Sequence, residues 1–259
     1  QLTQALAELV RRHAALRTVY ADRDGIPCQR VLEQGPTLSL VEETEDSIQQ
    51  RLATEMNHPF NLGTAACRFS LFQTHKNRFL QLVFHHITID LWSLDIILDE
   101  LSRFMLGERV DDGNRASHAH FTAEQMGAQS DRDAAYWISQ LQGAPELSDF
   151  PLDRARPGQP SWQGDLMHFK LEPELTAGLH GLAKAHETTL YTVLLACWQL
   201  LLSRFSGNTD VVVGSPNDGR TRADYRDLVG YLVNPLAFRT KISNRESFNF
   251  LLKQVRTHV

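Results

Sequence analysis

Cysteine is scarce in this sequence. The chain of 259 residues has three, Cys28, Cys67 and Cys197, and they lie far apart. An odd and scattered set does not predict a disulfide framework, and each cysteine lies in a segment with the pattern of a strand or a helix. The three therefore indicate reduced core residues of a cytoplasmic protein.

Long apolar runs and an excess of positive charge are also missing. No run approaches the ~20 apolar residues of a membrane-spanning helix, and no secretory signal peptide is visible. The net charge of −5 and the isoelectric point near 6.1 argue against nucleic acid as a partner. The sequence thus predicts neither a membrane nor a nucleic-acid partner.

Several catalytic signatures are absent as well. The chain has no Gly-x-Ser-x-Gly elbow, no phosphate-binding loop and no cluster of metal ligands. Its hydrophobic content of 42% and charged content of 22% are ordinary for a soluble globular protein. The length suits one large domain or two small ones with a sizeable core.

What the chain does have is an apolar run from Phe79 to Ile87, followed by a polar corner and an amphipathic helix. The run contains no Gly or Pro and predicts a buried strand. Side chains alternate across a strand, so His85 and His86 are expected to point to opposite faces, which disfavours a shared metal site. Ser93 is predicted to cap the following helix. In isolation, such a histidine and aspartate motif is more often structural than functional.

The rest of the chain alternates between the two periodicities of helix and strand. Helices are predicted at 2–13, 46–56, 131–141, 173–186 and 189–205, with a last one opened by a capping box at Ser243-x-x-Glu246. Strands are predicted at 16–21, 26–32, 38–41, 66–72, 165–171, 210–213 and 229–240. The strand at 66–72 is expected to pair antiparallel with the histidine strand. The helix at 189–205 is apolar nearly all round and is predicted to be buried, and Tyr136, Trp137 and Leu141 are expected to form a buried stripe.

Two segments lack this periodicity. The run DDGNRASHAH at 111–120 predicts a loop. The segment 143–164 contains four prolines and three glycines and predicts a connector between two lobes. The expected division is an N-terminal lobe at 1–142, a linker at 143–164 and a C-terminal lobe at 165–259.

Four motifs occur together in one order: RRHAALRTVY at 11–20, HHITIDLWS at 85–93, VVVGSPNDGR at 211–220 and VGYLVNPLAFR at 229–239. With the DRARPG segment at 153–158, this combination resembles the condensation domains of nonribosomal peptide synthetases. The resemblance covers essentially the whole chain. By that comparison a short N-terminal piece and roughly the last third of the domain are missing, so these residues alone are expected to be unstable or prone to aggregation, with an exposed sheet edge.

The resemblance implies an α/β fold like that of chloramphenicol acetyltransferase, with two lobes in a V and an active-site tunnel between them. An upstream donor carrier protein and a downstream acceptor carrier protein would reach the tunnel from opposite faces. The acceptor amine would attack the donor thioester and form an amide. The substrates would arrive on the phosphopantetheine arms of the carriers, so no cofactor of its own is expected. Adjacent adenylation or other synthetase domains are further expected partners, and antibiotic or other secondary metabolites the expected products.

The resemblance also assigns roles to residues. His86 is the expected catalytic residue, acting either as a base or as a positioning group, while His85 braces the strand from behind. Asp90 is expected to be structural and paired with an arginine across the lobes, with Arg220 the better candidate and Arg17 the second. The residues expected to line the tunnel are Leu91, Trp92, Ser93 and Asn234, and the alternative role of Asn234 is to tie the lobes together by hydrogen bonds.

The chain departs from the family pattern at three places. Leu91 replaces a usual glycine and is expected to narrow the acceptor side, Asn234 is followed by Pro235, and HAHFTAEQ replaces an aromatic-rich motif at 118–125. His85 and His86 argue against a cyclisation domain, Trp92 before Ser93 against an epimerisation domain, and intact His86 against an oxygenase-recruiting relative. Two alternatives stay open: an ester-forming or stand-alone acyltransferase, and a degenerate scaffold for carrier docking.

Overall fold

The computed structural model describes residues 1–111, 116–127, 131–146, 150–161 and 164–259. The predicted loop at 111–120 and the predicted connector at 143–164 therefore lie partly outside the described residues. The loop prediction was wrong for 118–120, which begin a helix. The chain forms two compact units, one of Gln1–Gln129 with Asn217–Asn234 and the other of Ser130–Pro216 with Pro235–Val259. These bounds differ from the predicted lobes because the helix at 131–141 joins the second unit and the segment 217–234 returns to the first.

The first unit contains five strands and four α-helices among its described residues, together with short 3-10 helices at Ala14–Arg17 and Ala223–Tyr225. The helices are α1 (Leu2–Arg12), α2 (Ile48–Asn57), α3 (Leu91–Met105) and α4 (His118–Gly127). The strands are β1 (Thr18–Arg23), β2 (Ile26–Val31), β3 (Leu38–Glu42), β4 (Cys67–Gln73) and β5 (Arg78–Phe84). Strands β1 and β2 form an antiparallel hairpin, and β3 pairs parallel with β4. The predicted antiparallel pairing of β4 with β5 is confirmed.

The core of the first unit lies between its three-stranded sheet and the helices α1 and α3. The apolar positions of α1 recur at helical spacing, so Leu6 and Leu9 are buried together with Ile97 of α3 and Phe69 of β4. Val229, from the returning segment, belongs to the same cluster. Burial of these side chains holds 217–234 against the first unit.

A buried charged cluster joins the end of α1 to α3. His13 Nε2 lies 2.7 Å from Glu100 Oε2, and Arg12 Nε donates to the same oxygen at 2.9 Å. Burial raises the pKa of the Glu100 carboxyl, but the hydrogen bonds and charges of His13 and Arg12 outweigh burial and leave that pKa lowered.

The second unit contains α5 (Asp131–Leu141), α6 (Pro173–Ala185), α7 (Leu190–Ser206), β6 (Asp210–Asn217), β7 (Asn234–Lys241) and α8 (Phe248–His258). Strands β6 and β7 form a two-stranded sheet. Helix α7 begins at a Thr189 cap and ends at Gly207, whose φ of 76° is left-handed. The core of the second unit includes Val193 of α7, Val211 of β6 and Leu252 of α8.

Several predictions for the second unit were wrong. Helix α7 is not buried all round. Only one of its faces packs on the rest of the second unit, so apolar residues on the other faces stay exposed, and Trp198 is 50% exposed. No residue of α5 is buried. The segment 165–171 is not a strand, and β7 begins at Asn234 rather than at 229. Helix α8 is capped by Ser247, whose hydroxyl accepts from the Phe250 N–H, and not at Ser243.

Candidate active site

The two histidines lie just beyond strand β5, which ends at Phe84. The expectation that they alternate across a strand was therefore wrong, since the chain turns at His85, whose carbonyl accepts from the Thr88 N–H at 2.9 Å. The two rings nevertheless have different surroundings. The His85 ring packs edge-on against Phe60, and its Nδ1 accepts from the Ile87 N–H at 3.1 Å. The prediction that His85 braces the strand from behind stays a prediction.

His86 is exposed and is oriented by two neighbours. Its Nδ1 lies 2.8 Å from the Ile89 carbonyl oxygen, and its ring meets the Tyr231 ring edge-to-face with centroids 5.2 Å apart. A carbonyl oxygen only accepts hydrogen bonds, so in the neutral ring Nδ1 carries the proton. Nε2 is then the nitrogen with the free lone pair.

Asp90 caps helix α3. Its Oδ1 accepts from the Ser93 N–H at 2.9 Å, and the helix begins at Leu91. The prediction that Ser93 caps the helix was therefore wrong by three residues. The Asp90 carboxylate precedes the helix and accepts from one of its first free N–H groups, whereas Ser93 already lies inside the first turn.

Arg220 is the partner of Asp90. Its Nη1 and Nη2 donate to the two carboxylate oxygens at 2.9 and 3.0 Å, and the two side chains are only 5% and 1% exposed. The pair was expected across the lobes, but both residues belong to the first compact unit. Arg17, the second candidate, instead donates to the Leu32 carbonyl at 2.5 Å.

The ion pair is the centre of a larger network. The Ser93 hydroxyl accepts from the Gly230 N–H at 3.0 Å and lies 2.7 Å from Asp90 Oδ1. The Leu232 N–H donates to Asp90 Oδ2 at 3.1 Å, and Arg220 also donates to the Leu228 carbonyl at 2.9 Å. These bonds hold the backbone on both sides of Tyr231 and so place its ring beside His86.

The network keeps Asp90 ionised. Burial alone raises the pKa of this carboxyl, but hydrogen bonds from Arg220 and Ser93 outweigh burial and lower it. A carboxylate whose two oxygens already accept from several donors is poorly placed to take a proton from a substrate. These contacts support the predicted structural role of Asp90, which stays a prediction.

The expected tunnel-lining residues lie at the start of two elements. Leu91 is 69% exposed and Trp92 is also exposed, both in the first turn of α3, and Asn234 is exposed at the start of β7. Ser93 is 0% exposed and engaged in the Asp90 network, so its assignment to a lining was wrong. For Leu91, Trp92 and Asn234 the assignment stays a prediction.

Three residues of the site were missed by sequence reasoning: Tyr20, His118 and Tyr231. His118 opens helix α4 and crowds Gly230, where an added Cβ would overlap the His118 ring. Burial lowers the pKa of His118, partly offset by the Tyr231 carbonyl. Gly230 in the VGYLVNP motif was the only signal in the sequence that could have indicated this contact, since such a close approach of a ring to the backbone requires glycine.

Neither a metal centre nor a membrane helix is found in the part of the chain that the structure describes. No group of three or more His, Cys, Asp and Glu side chains there could hold a metal ion. No described helix is both long and apolar enough to cross a membrane.

The fold and the histidine–aspartate corner together define a class of protein. The family model of the condensation domain matches residues 1–259, and the chain belongs to that family. Its relatives include a subunit of the plipastatin synthase of Bacillus subtilis (strain 168), 35% identical over 263 residues that cover 99% of this chain and 7% of the relative. The chain thus spans a small part of the curated relatives it matches.

Solved structures confirm the predicted α/β fold. The first condensation domain of the calcium-dependent antibiotic synthetase, in complex with a substrate analogue, is 25% identical with a TM-score of 0.77. That match covers 98% of this chain and 64% of the other. A four-domain nonribosomal peptide synthetase bound to AMP and glycine has a TM-score of 0.85 at 22% identity, covering 98% of this chain and 20% of the other. The chloramphenicol acetyltransferase-like class follows from these neighbours.

Proposed function

We propose that this chain forms an amide bond between two carrier-bound substrates in a nonribosomal peptide synthetase. The observation that carries the proposal is the geometry of His86, an exposed imidazole whose Nδ1 is held by the Ile89 carbonyl and whose Nε2 has no hydrogen-bond partner among the described residues. Membership of the condensation-domain family supports the same reaction.

In the proposed reaction the acceptor amine nitrogen attacks the carbonyl carbon of the donor thioester. The C–N bond forms, the C–S bond breaks, and the donor arm leaves as a thiol after taking up a proton. Over the whole reaction one proton leaves the amine and one reaches the thiolate, so no oxidant or other co-reactant is needed. Nε2 of His86 is the group that accepts the proton of the amine or orients its lone pair.

Asp90 and Arg220 have a positioning role in this proposal. Their pair caps α3 and anchors the 218–232 segment, and Tyr231 of that segment packs against the His86 ring. Holding both neighbours of the imidazole in place limits its rotation and reduces the entropy that would otherwise be lost on reaching the reactive geometry.

The proposed partners are an upstream donor carrier and a downstream acceptor carrier, which bring both substrates on phosphopantetheine arms, and adjacent adenylation domains. Their support is the family assignment and the synthetase relatives. No cofactor of the chain's own is proposed, and Leu91, Trp92 and Asn234 are proposed to face the tunnel. Three free cysteines support the proposed cytoplasmic location.

The test uses the full-length protein with a donor-loaded and an acceptor-loaded carrier. Intact mass spectrometry follows the mass of the acceptor arm for wild type, His86→Ala and the control His75→Ala, an exposed histidine in the turn between β4 and β5. We expect product from wild type and the control, and a loss of about 10²–10⁴-fold for His86→Ala. Transfer only to hydroxyl acceptors would favour the ester-forming alternative. Retained carrier binding without transfer to any acceptor would favour the docking scaffold.

A further inference from the structure

A cavity of about 580 Å³ lies in the first unit, next to His86. Its walls include Tyr20 of β1, Cys28 of β2, Leu62, Ile87, His118 and Tyr231. Ile87 follows His86 in the chain, and the Tyr231 ring touches the His86 ring. The cavity therefore begins within one residue of the proposed reaction centre, and its volume is in the range of small-molecule sites.

The walls are held by hydrogen bonds that do not depend on a ligand. The Tyr20 hydroxyl donates to the Ile87 carbonyl at 3.2 Å, and the Tyr20 N–H donates to the Leu62 carbonyl at 2.8 Å. Tyr231 is fixed from behind by the bonds of Gly230 and Leu232 to Ser93 and Asp90. A pocket with fixed walls loses little conformational entropy on binding.

The chemistry of the walls is mostly apolar. Leu62, Ile87 and the faces of two tyrosine rings provide the surface, and the described lining includes one carboxylate, that of Asp22. Asp22 lies on the exposed hairpin, where its Oδ1 accepts from the Gly25 N–H at 2.8 Å. Burial lowers the pKa of His118, which keeps that ring neutral near neutral pH. A charged ligand group would find no buried partner of opposite charge among these described lining residues.

We infer that this cavity binds the uncharged apolar side chain or acyl group of one of the two thioester substrates and selects against charged ones. The inference rests on the proposed function, because the substrate is taken to be a thioester whose reacting atoms lie at His86. An aliphatic or aromatic group at least as large as a leucine side chain fits a small-molecule site of this volume. Either the donor or the acceptor can supply such a group, and the test distinguishes the two.

Cys28 makes the cavity accessible to experiment. It is half-buried and lines the cavity, whereas burial raises the pKa of Cys67 to about 12 and makes that thiol unreactive. Cys197 is exposed and is replaced by serine in the test protein. In the full-length Cys197→Ser protein, benzyl methanethiosulfonate then labels Cys28 through a disulfide that dithiothreitol reverses. Mass spectrometry of the protein digested without reductant measures the labelling rate of the Cys28 peptide.

The probes are two pairs of unreactive pantetheine analogues. A donor pair carries a ketone in place of the thioester, and an acceptor pair carries a free α-amine on an amide; one member of each pair has a leucine side chain and the other an aspartate side chain. We expect one leucine analogue to slow labelling about tenfold at ten times its Kd, and its aspartate counterpart to leave the rate unchanged. The pair that shows this difference identifies the substrate whose group enters the cavity.

A second measurement tests the same inference through turnover. Cys28→Trp fills the cavity, and Arg30→Trp places the same bulk on an exposed position of the same strand as a control. For a substrate with a leucine side chain, Cys28→Trp is expected to lower kcat/KM about 10–100-fold, and for one with an alanine side chain much less. Arg30→Trp is expected to match wild type for both.

The outcomes separate this inference from the proposed function. Equal protection by leucine and aspartate analogues, or no protection in a protein that makes product, would overturn the cavity assignment while amide formation stands. Protection by leucine analogues alone in a protein that makes no product would support the cavity and contradict the proposed function. A protein that makes no product and is not protected by any analogue would overturn both the cavity assignment and the proposed function.

Discussion

Arg220 forms two hydrogen bonds with Asp90, although 130 positions separate them in the sequence. The same carboxylate caps α3 and accepts from the Leu232 N–H. One buried side chain thus sets the start of a helix, the course of the 218–232 segment and, through Tyr231, the surroundings of His86. Folding of the first unit and the shape of the site depend on the same contact.

Breaking the Asp90–Arg220 pair is expected to destabilise the protein strongly. Arg220→Met leaves a buried carboxylate without its countercharge, which costs about 3–5 kcal/mol of unfolding free energy. Arg17→Met, which removes a bond to the Leu32 carbonyl, is expected to cost about 1 kcal/mol. Urea unfolding of the three proteins measures both values. Equal unfolding free energies for Arg220→Met and wild type would contradict the pairing of Arg220 with Asp90. The double variant Asp90→Asn with Arg220→Met is expected to lose less unfolding free energy than the sum of the two single variants.

Acidification is expected to destabilise the protein through Asp90. In the unfolded chain this carboxyl has its usual pKa of about 3.9, and in the folded chain its pKa is lower. The stabilisation from its hydrogen bonds is therefore complete above about pH 4–5 and is lost as the pH falls through the unfolded and then the folded pKa. Asp90→Asn is expected to show a smaller decrease in unfolding free energy between about pH 5 and pH 3 than wild type, which follows from the same linkage. Parallel curves for the two proteins would contradict this.

Gly230 is expected to tolerate no side chain. A Cβ there would overlap the His118 ring and lie 2.9 Å from the Leu232 side chain. Gly230→Ala should cost about 1–3 kcal/mol, as overpacking does, and His118→Ala should restore part of that loss by removing the ring. Gly214→Ala is the control, because nothing lies within 4 Å of its added Cβ. Thermal melts of these variants measure the difference; equal effects at 214 and 230 would rule out this crowding.

The His86 ring is expected to be the tautomer with the proton on Nδ1. The Ile89 carbonyl, 2.8 Å away, accepts that proton. Nitrogen-15 NMR of the neutral histidine rings separates the two tautomers by the shifts of their ring nitrogens, and His86→Ala identifies the signal. A proton on Nε2 would mean that this nitrogen cannot take the amine proton, and the role proposed for His86 would then be reduced to positioning.

The exposed stripe on α7 is expected to make residues 1–259 alone prone to self-association. Leu194, Trp198 and Phe205 recur on one face of that helix and are all exposed. We expect binding of the dye ANS and a mass above that of the monomer in light scattering. Trp198→Gln with Phe205→Gln should reduce both, whereas Tyr136→Gln, an exposed aromatic on α5, should change neither. A monomer that binds no ANS would contradict the expectation.

Much of the first unit could be predicted from the sequence because its signals are local. The helical period of α1 and the polar turn between β4 and β5 depend only on residues a few positions apart. Helix α1 and the β4–β5 pair were found close to their predicted bounds. The four motifs identified the family because their order along the chain is visible without a structure. Short-range periodicity also predicted α7, but not which of its apolar faces would be covered.

The sequence by itself determined the family and most of the helices and strands, and it predicted His86, Asp90 and Arg220 as site residues. Only the tertiary structure decided that Asp90 rather than Ser93 caps α3, that the histidines lie beyond the strand, and that 217–234 packs with the first unit. It also brought Tyr20, His118 and Tyr231 around one cavity. Most of these features depend on contacts between residues far apart in the sequence, and such contacts leave no periodic pattern in a single chain because the free energy that selects them comes from burial and hydrogen bonding in the folded state.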